Sequence, residues 1–380
     1  METIYLDHAA TSPMHPEVIT VMTKIMSEEY GNPSSIHTAG RRARKVLDEA
    51  RNTLARAVGA KDSEIIITSG GTEADNAAIF GTAQALKSKG KHIITTQIEH
   101  HAVMHACEKL EKEGFDVTYL PVDRTGRISL EEFKNALRDD TILVTIMYGN
   151  NEVGTIQPIA EIGKILKEHQ ATFHTDAVQA FGIEKLNVDE LNVDLLSVSS
   201  HKLNGPKGIG FLYQRTGVSL FPTSFGGSQE KKRRAGTENV PSAVGFAKAV
   251  EIAQQEIDIR KENYHKYREL FIEELKKENI LFEINGNKDH SLKHVLNISF
   301  KGMEVESFLV NLDMSNVYAS SGSACTAGSI DPSHVLVAMF GKDTEELRNS
   351  IRFSFGLGLT EELVVEAAKR TIKIVKRLAH

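Results

Sequence analysis

Cysteine is scarce in this sequence: 380 residues contain two, Cys107 and Cys325. So few in a chain of this size cannot form a disulfide framework, which leaves packing or chemistry as their purpose. Long apolar runs are also lacking, none approaching the roughly 18 residues that cross a bilayer, so no membrane association is expected. The opening METIYLDHAATSPM has no basic region followed by an apolar stretch and a small-residue cleavage site. The expected location is therefore cytoplasmic. Excess positive charge is missing too. A net charge of −6 excludes a bare polyanion-binding surface, so no direct nucleic-acid partner is expected. The one dense basic run, Lys231-Lys232-Arg233-Arg234, reads first as a solvated loop.

What is present is the texture of a soluble globular chain, with 41% hydrophobic and 25% charged residues. Short β-branched runs alternate with amphipathic stretches at 65–68, 92–96, 117–120, 142–147, 171–175, 194–198 and 209–213. This is the pattern of an α/β layer whose mostly parallel sheet is covered on both faces. Helices are predicted before it, near 16–29 and 41–58, and a long one after it, near 241–277. Strands are then expected at 282–285 and 295–300, followed by helical stretches ending at 361–378. The expected division is a large domain over 16–255, a smaller α+β domain over 256–380, and an N-terminal segment, 1–15, packing with the smaller one.

Five segments carry candidate chemistry. In ITSGGTEADN (67–76), between a strand and a helix, Gly70 and Gly71 admit an anion close to the backbone and Thr72 offers a hydroxyl and a cap. A capped helix after a tight turn and a phosphate cup are both open from this segment. In FHTDAVQA (173–180), at a strand's carboxyl end, Asp176 is either a helix N-cap or a carboxylate facing a cofactor ring, with Gln179 beside it. A carboxylate against a pyridine nitrogen keeps that nitrogen protonated and electron-withdrawing.

In SVSSHKLNGPKGIGFLY (197–213), Lys202 stands just past the sheet edge, where desolvation lowers an amine pKa and favours imine formation. Ser199 and His201 flank it as phosphate ligands, and Lys207 is expected to be exposed. In IEHHAVMHACEKLE (98–111), the histidines lack zinc-type spacing, so no metal is expected, and His100 is the better placed of the first two to stack on a ring and shuttle protons. Cys107 falls inside the helix and is expected to be buried and inert. In SSGSACTAGS (320–329), Cys325 sits among residues too small to pack it, which reads as an exposed loop with a reactive thiol.

Taken in order and spacing, SGGTEADN, EHHAV, NNEVGT, HTDAVQ, SSHKLNGPKG, RRAGTEN, SSGSACT and SIRFS resemble the NifS/IscS-like cysteine desulfurases of the class V aminotransferase superfamily. The resemblance implies pyridoxal 5'-phosphate (PLP) fold type I, a large domain with a mostly parallel seven-stranded sheet plus a smaller α+β domain, and a homodimer. It implies that Lys202 holds the cofactor, Asp176 pairs with its ring nitrogen, and His100 stacks and acts as acid or base. Gln179 and Asn151 would bond the ring oxygen, and Gly71, Thr72, Ser199 and His201 the phosphate, joined by Thr237 of the neighbouring subunit. Arg352 would hold the substrate carboxylate, with Asn151 and, as a lesser candidate, Asn32 nearby.

The implied reaction takes sulfur from L-cysteine, leaves L-alanine, and places the sulfur on Cys325 as a persulfide for an acceptor protein. No metal is implied, save that Cys325 is a candidate ligand for a transferred iron–sulfur cluster. The chain ends at KRLAH, without the tail by which Isc-type members dock the iron–sulfur scaffold, so a tRNA thiolation enzyme is at least as strong an expectation for the acceptor as that scaffold. Selenocysteine lyase and class V aminotransferase are the alternative activities.

Overall fold

The computed structural model describes residues 2–321 and 332–378. The chain begins with a two-residue strand β1 (Ile4–Tyr5) and helices α1 (Pro16–Glu28) and α2 (Thr38–Arg56). Strands and helices then alternate: β2 (Ile65–Thr68), α3 (Gly71–Leu86), β3 (His92–Thr96), α4 (His101–Lys112), β4 (Asp116–Leu120), α5 (Leu130–Ala136), β5 (Thr141–Thr145) and α6 (Ile159–Leu166). The alternation closes with β6 (Thr172–Asp176), α7 (Val188–Leu191), β7 (Leu195–Ser199) and β8 (Gly210–Gln214). A long helix α8 (Val240–Lys277) leads to β9 (Phe282–Asn285), β10 (Val295–Phe300), α9 (Val305–Met314) and β11 (Val317–Tyr318). The remaining elements are α10 (His334–Phe340), α11 (Glu346–Asn349), β12 (Ser350–Ser354) and α12 (Glu361–Leu378).

Seven strands form one sheet in the order β2-β8-β7-β6-β5-β3-β4. Strand β8 is antiparallel to both neighbours, and the other pairs are parallel. Two antiparallel steps restore the direction, so β2 runs with β7, and the carboxyl ends of β2, β3, β5, β6 and β7 gather along one edge. All residues of these five strands are buried, as helices on both faces require. A ligand site belongs at such an edge.

The second sheet is antiparallel, in the order β12-β10-β9. Its core gathers Phe271, Phe300, Phe308 and Phe353, with the Phe271 and Phe353 rings 4.6 Å apart. Each such ring contributes roughly 1.5–3 kcal/mol by leaving water. Helix α8 serves both cores, with Val240 to Ala253 in the first and Tyr264, Phe271 and Leu275 in the second. Sequence pattern points to helical stretches after β10, whereas the structure also places β12 there. Its five residues, Ser-Ile-Arg-Phe-Ser, are all buried, and the arginine in the middle masks the strand signal. Strand β1 pairs in parallel with β11, which ties the chain start to this second region.

The basic run is only half solvated. Lys231 and Lys232 are exposed, but Arg233 donates to Gln214 Oε1 and the Ile65 carbonyl. Arg234 pairs with Glu73 at 2.8 Å. Just before the run, the buried Glu230 takes both guanidinium arms of Arg51 at 2.7 Å and the Ile67 N–H at 3.2 Å. These arginines fasten the loop to β2 and to the first turn of α3.

Candidate active site

The gathered strand ends open into a cavity of about 340 Å³. Strand β6 delivers Asp176 at its last position, and β7 delivers Ser199, after which a tight 3-10 turn over Ser200–Lys202 turns His201 and Lys202 inward. The turn after β3 delivers His100 as N-cap of α4, and the turn after β2 delivers Gly71 and Thr72 at the start of α3. Asn151 and Gln179 complete the large-sheet side, and Arg352 reaches in from β12. Ten of the sequence candidates thus line one cavity.

Three do not. Asn32 is exposed, and its Oδ1 accepts the Ser34 N–H at 2.8 Å in a local turn. Thr237 is exposed and outside this chain's cavity, where the expectation gives it to the neighbouring subunit's site. Cys325 lies outside the described residues. Lys207 is exposed, as expected, and Cys107 is fully buried in α4 with its thiol pKa pushed up by burial. Among the described residues, no group of three or more His, Cys, Asp or Glu side chains is arranged to hold a metal ion.

Thr72 does not cap α3. Gly70 occupies the cap position without a side-chain bond, and Thr72 sits in the first turn. The missing Cβ matters at Gly71, where an added methyl would lie 2.8 Å from Val178 Cγ2. A bare, uncapped helix start beside Ser199 and His201 suits an anion.

An N-terminal strap, residues 7–12, closes the cavity's other wall. The Lys202 amine donates to the carbonyls of Ala9 (2.5 Å) and Ala10 (2.8 Å). Gln179 donates its amide to Ala9 O at 2.9 Å and, with that amide so oriented, accepts the His294 Nε2–H at 3.2 Å. His201 Nδ1 meets Thr11 Oγ1 at 3.1 Å, and Ala9 N–H donates to Ser354 Oγ at 2.8 Å. The strap therefore links the strand ends of the large sheet to β12. Motif reading does not reveal it, because the contacting atoms are mostly backbone carbonyls.

The titratable groups divide by burial. Desolvation lowers His100 to about 4, helped by Lys202, so its ring is neutral near pH 7. Its Nδ1 accepts the Ala102 N–H at 3.1 Å, which puts the ring proton on Nε2. His201 is likewise lowered to about 4, by burial and then by Lys202. Asp176 is raised to about 6 by burial, against the pull of its 2.8 Å bond from Val178 N–H and of Lys202.

Behind Asp176 lies a polar layer that motif reading misses. Asp75 is 1% exposed and raised well above the carboxylate range by burial and by Asp176. Its Oδ1 lies 3.6 Å from His174 Nε2, which bonds Ser197 Oγ at 2.9 Å. The signal for it was an aspartate on the buried face of α3, between Ala74 and Ala78. Glu99, fully buried, accepts Thr96 Oγ1 at 2.6 Å and the Met147 N–H, and burial raises it to about 8.

Comparison with known proteins agrees with this geometry. The aminotransferase class-V family model matches residues 4–366. The chain belongs to the class-V aminotransferase family. Within that family, a putative cysteine desulfurase IscS 1 of Bacillus subtilis (strain 168) is 61% identical over 378 residues, covering all of both chains. A solved NifS-like protein superposes with a TM-score of 0.93 at 35% identity, covering 99% of this chain and 100% of that one. A solved SspA in complex with cysteine gives 0.81 at 37%, covering 93% and 99%. The class-V cofactor is PLP, and the cavity suits it. It joins a lysine amine, a buried carboxylate, an imidazole and a side-chain-free helix start, the donor set that an aldehyde, a pyridine nitrogen, a ring face and a phosphate require.

Proposed function

We propose that this chain is a PLP-dependent cysteine desulfurase, which takes sulfur from L-cysteine, leaves L-alanine, and receives the sulfur on Cys325. The observation that carries the reading is the convergence of Lys202, Asp176, His100 and Arg352 on one cavity, in a chain 61% identical to a relative named for this activity. PLP, when bound, supplies a cationic ring that withdraws electrons from bonds to the substrate α-carbon.

Lys202 would hold the cofactor covalently, and its amine would take the substrate α-proton. It must first leave the carbonyls of Ala9 and Ala10. Asp176, as an anion, would keep the ring nitrogen protonated. His100 would stack on the ring with its Nε2–H toward the cavity, and Gln179 and Asn151 would bond the ring oxygen. Gly71, Thr72, Ser199 and His201 would receive the phosphate, with Thr237 from a second subunit of a homodimer. Arg352 holds the substrate carboxylate. The Cys325 thiolate then attacks the substrate sulfur, forming an S–S bond as the Cβ–S bond breaks.

The persulfide passes to an acceptor protein, a tRNA thiolation enzyme or an iron–sulfur scaffold. Cytoplasmic work fits the described residues, among which no helix is long and apolar enough to cross a membrane. A division near residue 256 into cofactor-binding and smaller domains is supported by the change of core along α8. The test is Cys325→Ser, which should retain the borohydride-fixed cofactor on Lys202 yet yield no persulfide when given L-cysteine. Sulfide release at the wild-type rate would overturn the reading.

A further inference from the structure

Arg352 does not wait in the cavity unaccompanied. Its Nη2 donates to Asp7 Oδ1 at 2.8 Å and its Nη1 to the Asn151 carbonyl at 3.0 Å, while Nε is buried and has no hydrogen-bond partner among the described residues. The guanidinium side chain is 3% exposed and the Asp7 side chain 19%. Asp7 cannot easily swing away. Its backbone is bridged to Ser354, its carbonyl accepts Ala10 N–H at 3.0 Å and Tyr5 Oη–H at 3.1 Å, and the preceding carbonyl, Leu6 O, accepts Ser354 N–H at 2.7 Å. The strap thus carries a carboxylate to the group that is to receive a carboxylate.

We propose that Asp7 is a positioning and selectivity residue, an internal carboxylate that steadies Arg352 and weakens the binding of amino-acid substrate by occupying part of its guanidinium. The inference rests on the reading of Arg352 as the carboxylate ligand. A buried arginine without a counter-charge is costly and attracts any small anion. With Asp7 in place the guanidinium is neutralised, and an incoming carboxylate must share it with, or displace, a charge of its own sign. Other titratable groups near the pair are Glu152, buried and accepting the Ser333 hydroxyl at 2.5 Å, whose carboxyl pKa burial raises against the pull of Arg352, and Lys202 across the cavity. Among the described residues, neither donates to or accepts from Arg352 by hydrogen bond. Removing the charge of Asp7 while keeping an acceptor for Nη2 should therefore tighten carboxylate binding.

The experiment is equilibrium titration of the holoenzyme with L-alanine by calorimetry, alongside steady-state kinetics with L-cysteine. Asp7→Asn should lower the L-alanine Kd by about tenfold, the order expected for one screened like-charge contact. The KM for L-cysteine should fall with no rise in kcat. The gain should vanish when Arg352→Gln is added. A Kd that is unchanged or higher in a folded Asp7→Asn overturns the proposal. Asp7→Ser, which also keeps an acceptor oxygen, carries the same test if Asp7→Asn does not fold. Should Arg352→Gln bind L-alanine as tightly as the wild type, the carboxylate role of Arg352 falls first, whatever Asp7 does.

Discussion

The cavity has two halves built on different principles. On the cofactor side, Asp176, Ser199, Lys202, His100 and Gly71 each stand at the end of a fully buried strand or in the turn that follows it. Their positions are inherited from the hydrogen-bond ladder of the seven-stranded sheet. On the substrate side, Arg352, Asp7 and Asn151 come from segments separated by 345 and 201 positions in the chain. Asp7 and Arg352 meet because the strap and β12 run together, and the Asn151 carbonyl reaches Arg352 from the turn after β5. The difference teaches that local motifs suffice where a sheet edge does the gathering, whereas Arg352 and Asn151 are reached only through the family resemblance and Asp7 by neither route.

Substitutions can break this comparison or sharpen it. The largest effect is expected on the cofactor side at Lys202. Lys202→Ala should lower turnover by at least about 10³-fold, as loss of a covalent and proton-transferring group does. It should also abolish the adduct that borohydride fixes, while leaving the strap contacts of Gln179 in place. Recovery of the reduced adduct on Lys207 by peptide mapping would reassign the lysine.

A middle effect is expected at Gly71. A methyl there would crowd Val178, so Gly71→Ala should weaken PLP retention by about tenfold, measured by dialysis against apoenzyme. If the halves are separable, the KM for L-cysteine at saturating cofactor stays near the wild-type value. A KM shift as large as the cofactor effect would mean that the two halves are coupled.

The smallest effect is on stability, beneath the cofactor side. Burial raises Glu99 from 4.5 to about 8, so between those values the folded chain holds a proton that the unfolded chain has released. The wild type therefore loses stability as pH rises through that window, whereas below about pH 4.5 both states are protonated and no cost remains. Glu99→Gln cannot ionise. Its melting temperature relative to the wild type should climb from pH 5 to pH 8 by a few degrees. A constant offset would place the Glu99 carboxyl outside the titrating window.

The same division explains what the sequence made legible. The α/β alternation, the long helix and the lysine, aspartate and histidine of the cofactor side are readable because each belongs to a short run with one structural job. Strand β12 is hidden because a charged residue occupies the middle of a buried strand. Asp7 and the carbonyls of Ala9 and Ala10 are hidden because nothing in YLDHAATS points to its partners hundreds of residues away. Asp75 is an intermediate case. Its place on the apolar face of α3 is visible in the 3.6-residue period, but its position beside His174 requires β6 to be alongside.

The strap has a consequence for how the protein is born. A ribosome makes residues 7–12 long before β12, the strand against which they complete their docking. Until then the strap has only its large-sheet contacts, to Gln179, His201 and Lys202, and the pocket lacks the wall that carries Arg352. The large sheet can fold during translation, but the substrate half of the pocket is complete only once β12 has emerged and met the strap.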